Sequence, residues 1–139
     1  MNTLARVDVT EAQIRLVLDR FYARVRENPD LAPIFHHTVG TDPQVWEAHI
    51  AKIARFWRNA LLRDPVYDGN PMLAHAGVAA IQPEHFAIWL GIFDDVLTEV
   101  LPPDVAARWS LVAHRIGRGL SLGLRAARAR QSDIPDLRL

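Results

Sequence analysis

Apolar residues in this chain return every three to four positions in one segment after another, and no run alternates apolar with polar strongly enough to make a strand. That periodicity confines the chain to helices. Thr10, with Gln13 three residues on, has the pattern of a capping box. Ile14, Val17, Leu18, Phe21, Tyr22 and Val25 then keep helical spacing, predicting a first helix over about 10–27. Asn28 and Pro29 break it, and DLAPIFHHTVG holds a short apolar turn around Ile34 and Phe35. Thr41, Asp42 and Pro43 are start signals for a second long helix, about 43–62. The breaker-rich run RDPVYDGNP is a loop, after which Pro71 opens a short helix through His75 that Gly77 can close. Pro83 begins a third long helix carrying Phe86, Trp89, Phe93, Val96, Leu97 and Val100, and Pro102 and Pro103 end it. Asp104 lies in the first turn of a last helix, with a stripe of Trp109, Val112, Ile116, Leu120 and Leu124 to about residue 130. Four long helices and one short one predict an all-α domain of bundle or globin type.

The 139 residues read as one domain, with a core over about 10–130 and less ordered termini. Sixteen basic residues balance sixteen acidic ones, so no whole-chain field favours nucleic acid or an anionic membrane. Charge is uneven only near the end. There Arg115, Arg118, Arg125, Arg128 and Arg130 follow Asp104 with no acidic residue before Asp133, a pattern read mainly as a solvated helix face. The absence of cysteine excludes disulfides, thiolate catalysis, iron–sulfur clusters and covalent haem attachment. With no apolar signal core and no run of membrane-spanning length, a cytoplasmic location is expected.

One histidine stands in unusual company. His49 shares a helical stripe with Trp46, Ile53 and Phe56, at spacings of three, four and three residues, on a face that otherwise reads as core. Tyr22 on an earlier helix and Trp89, inside the run AIWLGIF on a later one, also carry polar tips on apolar faces. Taken alone, each is ordinarily a hydrogen-bonded core residue. Together they outline a lined pocket, which His75 can approach from a short element on another side. That is the layout of a haem with one protein ligand, whose second axial position stays open to a diatomic molecule. The other histidines are weaker candidates. His36 and His37 read as solvated, and His114 lies off its helix's apolar stripe. His85 can face inward or satisfy a group near its helix start.

The chain resembles the truncated haemoglobins, and more narrowly their group III. The resemblance runs from about residue 11 to 128 and rests on RFYARVRENPDLAPIF, WEAHIAKIARFW, YDGNP followed by MLAH, and HFAIWLGIF, in that order. The glycine pairs of the other truncated groups are missing. The resemblance implies a truncated globin fold and non-covalent haem b, with His75 matching the proximal iron ligand. It places Tyr22, His49 and Trp89 at the distal polar positions. Phe21, Phe35, Ile53, Phe56, Trp57 and Phe93 match the apolar haem walls, and Lys52 a propionate contact. It further implies binding of O2, NO or CO at ferrous iron, with scavenging or redox chemistry rather than bulk transport. NO oxidation or use of peroxide would need an external reductase or electron donor, since no flavin motif is present in these residues.

Two other readings are kept. One is a haem-free helical interaction module in which the aromatic stripes are only packing. The other is a non-haem metal site built from His49, His75 and His85 with Glu47 or Glu84, disfavoured because no metal-binding pair shares a helix face.

Overall fold

A computed structural model describes residues 7–66 and 81–133 of the chain, with side chains to residue 130. Among these residues five helices follow one another: α1 (Glu11–Val25), α2 (Ala32–Thr38), α3 (Pro43–Leu62), α4 (Pro83–Val100) and α5 (Pro103–Asp133). The short helix expected around Pro71–Gly77, and His75 with it, lies outside the described residues. The described residues contain no strand, and no helix among them is long and apolar enough to cross a membrane.

Local chemistry accounts for the helix starts. Thr10 and Gln13 close a reciprocal capping box: the Thr10 N–H donates to Gln13 Oε1 at 2.9 Å, and the Gln13 N–H to Thr10 Oγ1 at 3.1 Å. At α3 the Asp42 carboxylate accepts from the Gln44 N–H at 2.8 Å, and Pro43 occupies the first turn. The segment expected to be only an apolar turn is a seven-residue helix, α2. Asn28 Oδ1, which accepts from the N–H groups of Asp30 and Leu31, turns the chain into it. Packing then holds it, since the Phe35 ring lies 5.9 Å from both Tyr22 and Trp46. A propensity reading misses a helix this short because isolated helices of such length are unstable in water.

The core lies where α1 packs between α3 and α4 and where α4 packs on α5. Ile14, Val17 and Val25 of α1, Leu61 of α3, Phe93 and Val96 of α4, and Trp109 of α5 are all fully buried. The deepest line on α5 differs from the expected stripe. Trp109 and Leu124 are on it, but Val112, Ile116 and Leu120 are only half-buried, and Ala113 and Gly117 are buried in their place. Small residues there let α4 approach closely: a Cβ on Gly117 would stand 3.0 Å from Leu90 Cδ1. Ion pairs tie the outer faces together. Arg15 bridges Asp19 and, at 2.5 Å, Glu47 of α3, which raises the pKa of its guanidinium, and Arg24 pairs with Glu99 of α4.

Candidate functional site

The rotation of these helices opens a cavity of about 350 Å3, within the range of about 300–1,000 Å3 typical of pockets for small molecules and cofactors. Every site residue expected from the sequence within the described chain lines it. Phe21 and Tyr22 come from α1, Phe35 from α2, and His49, Lys52, Ile53, Phe56 and Trp57 from α3. Trp89 and Phe93 come from α4. Lys52 is exposed at the rim and has no hydrogen-bond or ion-pair partner among the described residues.

Sequence reasoning missed other parts of the wall. Ile34 and Val39 belong to the segment around α2, and Ile116 and Leu120 are contributed by α5. In the sequence Ile116 and Leu120 read as core, because a period of 3.6 tells that a face is apolar, not whether a neighbouring helix or a ligand covers it.

Tyr22 and His49 are brought into ring contact, with centroids 5.6 Å apart and planes 77° to one another. His49 also meets Trp46 edge-on at 5.5 Å. Trp46 is itself anchored: its indole N–H donates to the Gly40 carbonyl at 2.7 Å, and the Arg26 guanidinium sits 4.5 Å above its ring. Gly40 has φ +95°, a backbone state that a side chain would strain, and that state turns the carbonyl-bearing loop beneath Trp46. Trp89 reaches the cavity from the other flank. Phe21 lies between the two polar groups, edge-on to Tyr22 at 4.9 Å and to Trp89 at 5.9 Å. Phe93 stacks on both Trp89 and Trp57, so the wall behind Trp89 is a rigid aromatic layer.

Burial pushes the Tyr22 phenol well above its ordinary pKa. It therefore stays protonated and keeps an O–H donor through any physiological pH.

His85 also borders the cavity, but its chemistry is committed elsewhere. Its Nδ1 accepts a 2.8 Å hydrogen bond from the Gln82 backbone N–H. A backbone N–H can only donate, so the neutral ring must carry its proton on Nε2 and has no free lone pair there for a metal. Of the two alternatives for His85, facing inward or satisfying a group at its helix start, the structure shows both: it borders the cavity and accepts from the Gln82 N–H. His114 pairs with Asp94 at 2.8 Å on the half-exposed side of α5, and His36 and His37 are exposed on α2. Among the described residues no three His, Asp or Glu side chains gather as metal ligands.

A fold that is all-helical among the described residues, with an aromatic, sparsely polar cavity between its helices, is the architecture of a globin. Residues 9–114 match the bacterial-like globin family. The chain is 36% identical over 92 residues to the group 3 truncated haemoglobin ctb of Campylobacter jejuni, covering 66% of this chain and 72% of that protein. The crystal structure of group III truncated haemoglobin from Campylobacter jejuni superposes with a TM-score of 0.80 at 31% identity, covering 84% of this chain and 91% of that one. The chain belongs to the group III truncated haemoglobins, and that membership implies haem-based ligand binding.

The residues present fit such a group. Among the described residues the cavity walls are mostly flat aromatic and branched apolar side chains, the donors are few, and the cation Lys52 stands at the rim.

Proposed function

We propose that this protein holds a non-covalent haem b in the cavity and binds O2, with NO and CO as further ligands, at its ferrous iron. His75 is the proximal ligand in this reading, and Tyr22, His49 and Trp89 are the polar groups facing the diatomic molecule. When bound, the haem supplies an open iron coordination position. The protein's own residues do the rest. Phe21, Phe35, Ile53, Phe56, Trp57 and Phe93 exclude water and hold the ring plane, and Lys52 meets a propionate at the rim. Tyr22, kept protonated by burial, donates its O–H to a ligand atom that gains negative charge, and the Trp89 and His49 N–H groups add to it. Donors in a water-poor site retain such a ligand strongly, which suits scavenging or redox chemistry better than bulk transport. Oxidation of NO or use of peroxide fits the same donor set, with electrons drawn from a reductase or carrier.

The observation that carries this reading is that three donor-bearing side chains from three helices, Tyr22, His49 and Trp89, line one mostly apolar cavity. The haem-free module explains it less well. If the aromatic stripes were only packing, a cavity of about 350 Å3 lined by flat aromatic side chains would have no apolar occupant.

The test is an absorption spectrum of the purified protein, as isolated and during haemin titration, oxidised, reduced and exposed to CO. A Soret band that saturates at one haem per chain and moves on reduction and on CO binding is the expected result. No saturable uptake would overturn the proposal.

A further inference from the structure

One face of α5 is cationic on a chain whose formal net charge is zero. Leu111, Arg115, Arg118, Leu122 and Arg125 follow one another at spacings of four, three, four and three, so they form a single stripe. All five are exposed, the two leucines at 54% and 60%. Arg115, Arg118 and Arg125 have no ion-pair or hydrogen-bond partner among the described residues. Asp94 of α4, which meets α5, is engaged away from these arginines: it accepts from Ser110 at 2.6 Å and pairs with His114 at 2.8 Å. Arg128, by contrast, is used inside the fold, donating to the Ile81 carbonyl at 2.5 Å and to Gln82 at 3.2 Å.

The position of the stripe gives it meaning. Ile116 and Leu120, on the opposite side of the same turns, line the cavity. A molecule docked on Arg115 and Arg118 is therefore separated from the cavity by the thickness of one helix, about 10–12 Å with side chains.

We infer that the outward face of α5 around Arg115, Arg118, Leu122 and Arg125 docks an acidic one-electron carrier protein that reduces the haem. The inference rests on the haem reading above. The carrier is oxidised by one electron, the ferric haem is reduced to ferrous, and no proton or group moves. Charge selects this occupant over the others. A second copy packed face to face would set these arginines against their equivalents, a repulsive arrangement. A membrane surface would gain little from two leucines three turns apart, too small an apolar stripe to bury. A carrier with a carboxylate-rich surface complements the charge and is steered to the face electrostatically.

The test uses the haem-loaded protein and reduced plant-type ferredoxin, a small acidic iron–sulfur carrier, as the probe. Reduction is followed by stopped flow at low and high salt, and binding by chemical-shift perturbation on the same samples. The variant R115E/R118E is compared with R20E/R55E, which makes the same change in net charge at exposed arginines on α1 and α3. The expected result is a rate that falls at least tenfold with salt in the unaltered protein, falls at least tenfold in R115E/R118E and loses its salt dependence there. R20E/R55E should change less than threefold, with shifts confined to the α5 face. Dithionite reduction and CO binding should be the same in all three. Equal loss in both double variants, a rate insensitive to salt, or shifts elsewhere would overturn the inference. So would a concentration-dependent dimer through this face, or sedimentation of the protein with phosphatidylglycerol vesicles without ferredoxin binding. A chain that takes no haem would sink the functional reading instead, while the shift map would still report whether the face binds the carrier.

Discussion

The Nδ1 of His85 accepts its hydrogen bond from the backbone N–H of Gln82 at 2.8 Å, and the proton this leaves on Nε2 separates His85 from His75 as a candidate iron ligand. His85 caps α4, a role that ring geometry and donor chemistry both satisfy. With His85 so engaged, the expectation for the proximal position rests on His75, outside the described residues.

His75→Ala should therefore abolish the five-coordinate ferrous spectrum. His85→Ala should retain it and lower stability by about 0.5–2 kcal/mol through the lost cap. Ferrous and CO absorption spectra, with urea midpoints on the same proteins, distinguish the two. A normal ferrous spectrum in His75→Ala would return the ligand role to another histidine.

Tyr22→Phe removes a hydroxyl that burial keeps protonated. If that hydroxyl donates to the bound ligand, O2 release should accelerate by about 5- to 150-fold, corresponding to about 1–3 kcal/mol. CO release should change less, because bound CO gains less negative charge. Flash photolysis and stopped-flow displacement measure both. An unchanged O2 release rate would remove Tyr22 from the ligand's surroundings.

The same burial makes stability depend on pH. The phenol ionises near pH 10 in the unfolded chain and only at higher pH in the fold. Between those values the unfolded state binds fewer protons, so stability falls as pH rises past 10, by up to about 1.4 kcal/mol per unit from this group. Below pH 10 the contribution is fully present. Urea unfolding of the unaltered protein and Tyr22→Phe at pH 8 to 11 should show the shallower slope in the variant. Parallel slopes would place the Tyr22 hydroxyl in contact with water.

Gly117 and Gly119 separate helix propensity from helix contact. Nothing stands within 4 Å of a Cβ at Gly119, so Gly119→Ala should stabilise α5 by about 1 kcal/mol. At Gly117 the same gain meets Leu90 Cδ1 at 3.0 Å, so Gly117→Ala should fall short of it. Gly117→Val should destabilise by about 1–3 kcal/mol as α4 is pushed away. Thermal midpoints of the three variants check the order.

The helix starts at Thr10, Asp42 and Pro83 were legible in the sequence because they depend on groups within a few residues of one another. So were the polar candidates Tyr22, His49 and Trp89, since a polar tip on an apolar stripe is visible without knowing what the stripe faces. The family resemblance, carried by four short motifs in order, added the cofactor that periodicity alone does not specify. Tertiary structure decided the rest. Only contact with Tyr22 and Trp46 stabilises α2 as a helix, and only the approach of α4 selects Ala113 and Gly117 over bulkier neighbours for the deepest line of α5. Only the helices' mutual rotation turns Ile116 and Leu120 toward the cavity and leaves Arg115 and Arg118 behind it. The reason is one of range: caps and periods are set by neighbours along the chain, whereas a cavity wall is set by which faces meet across it.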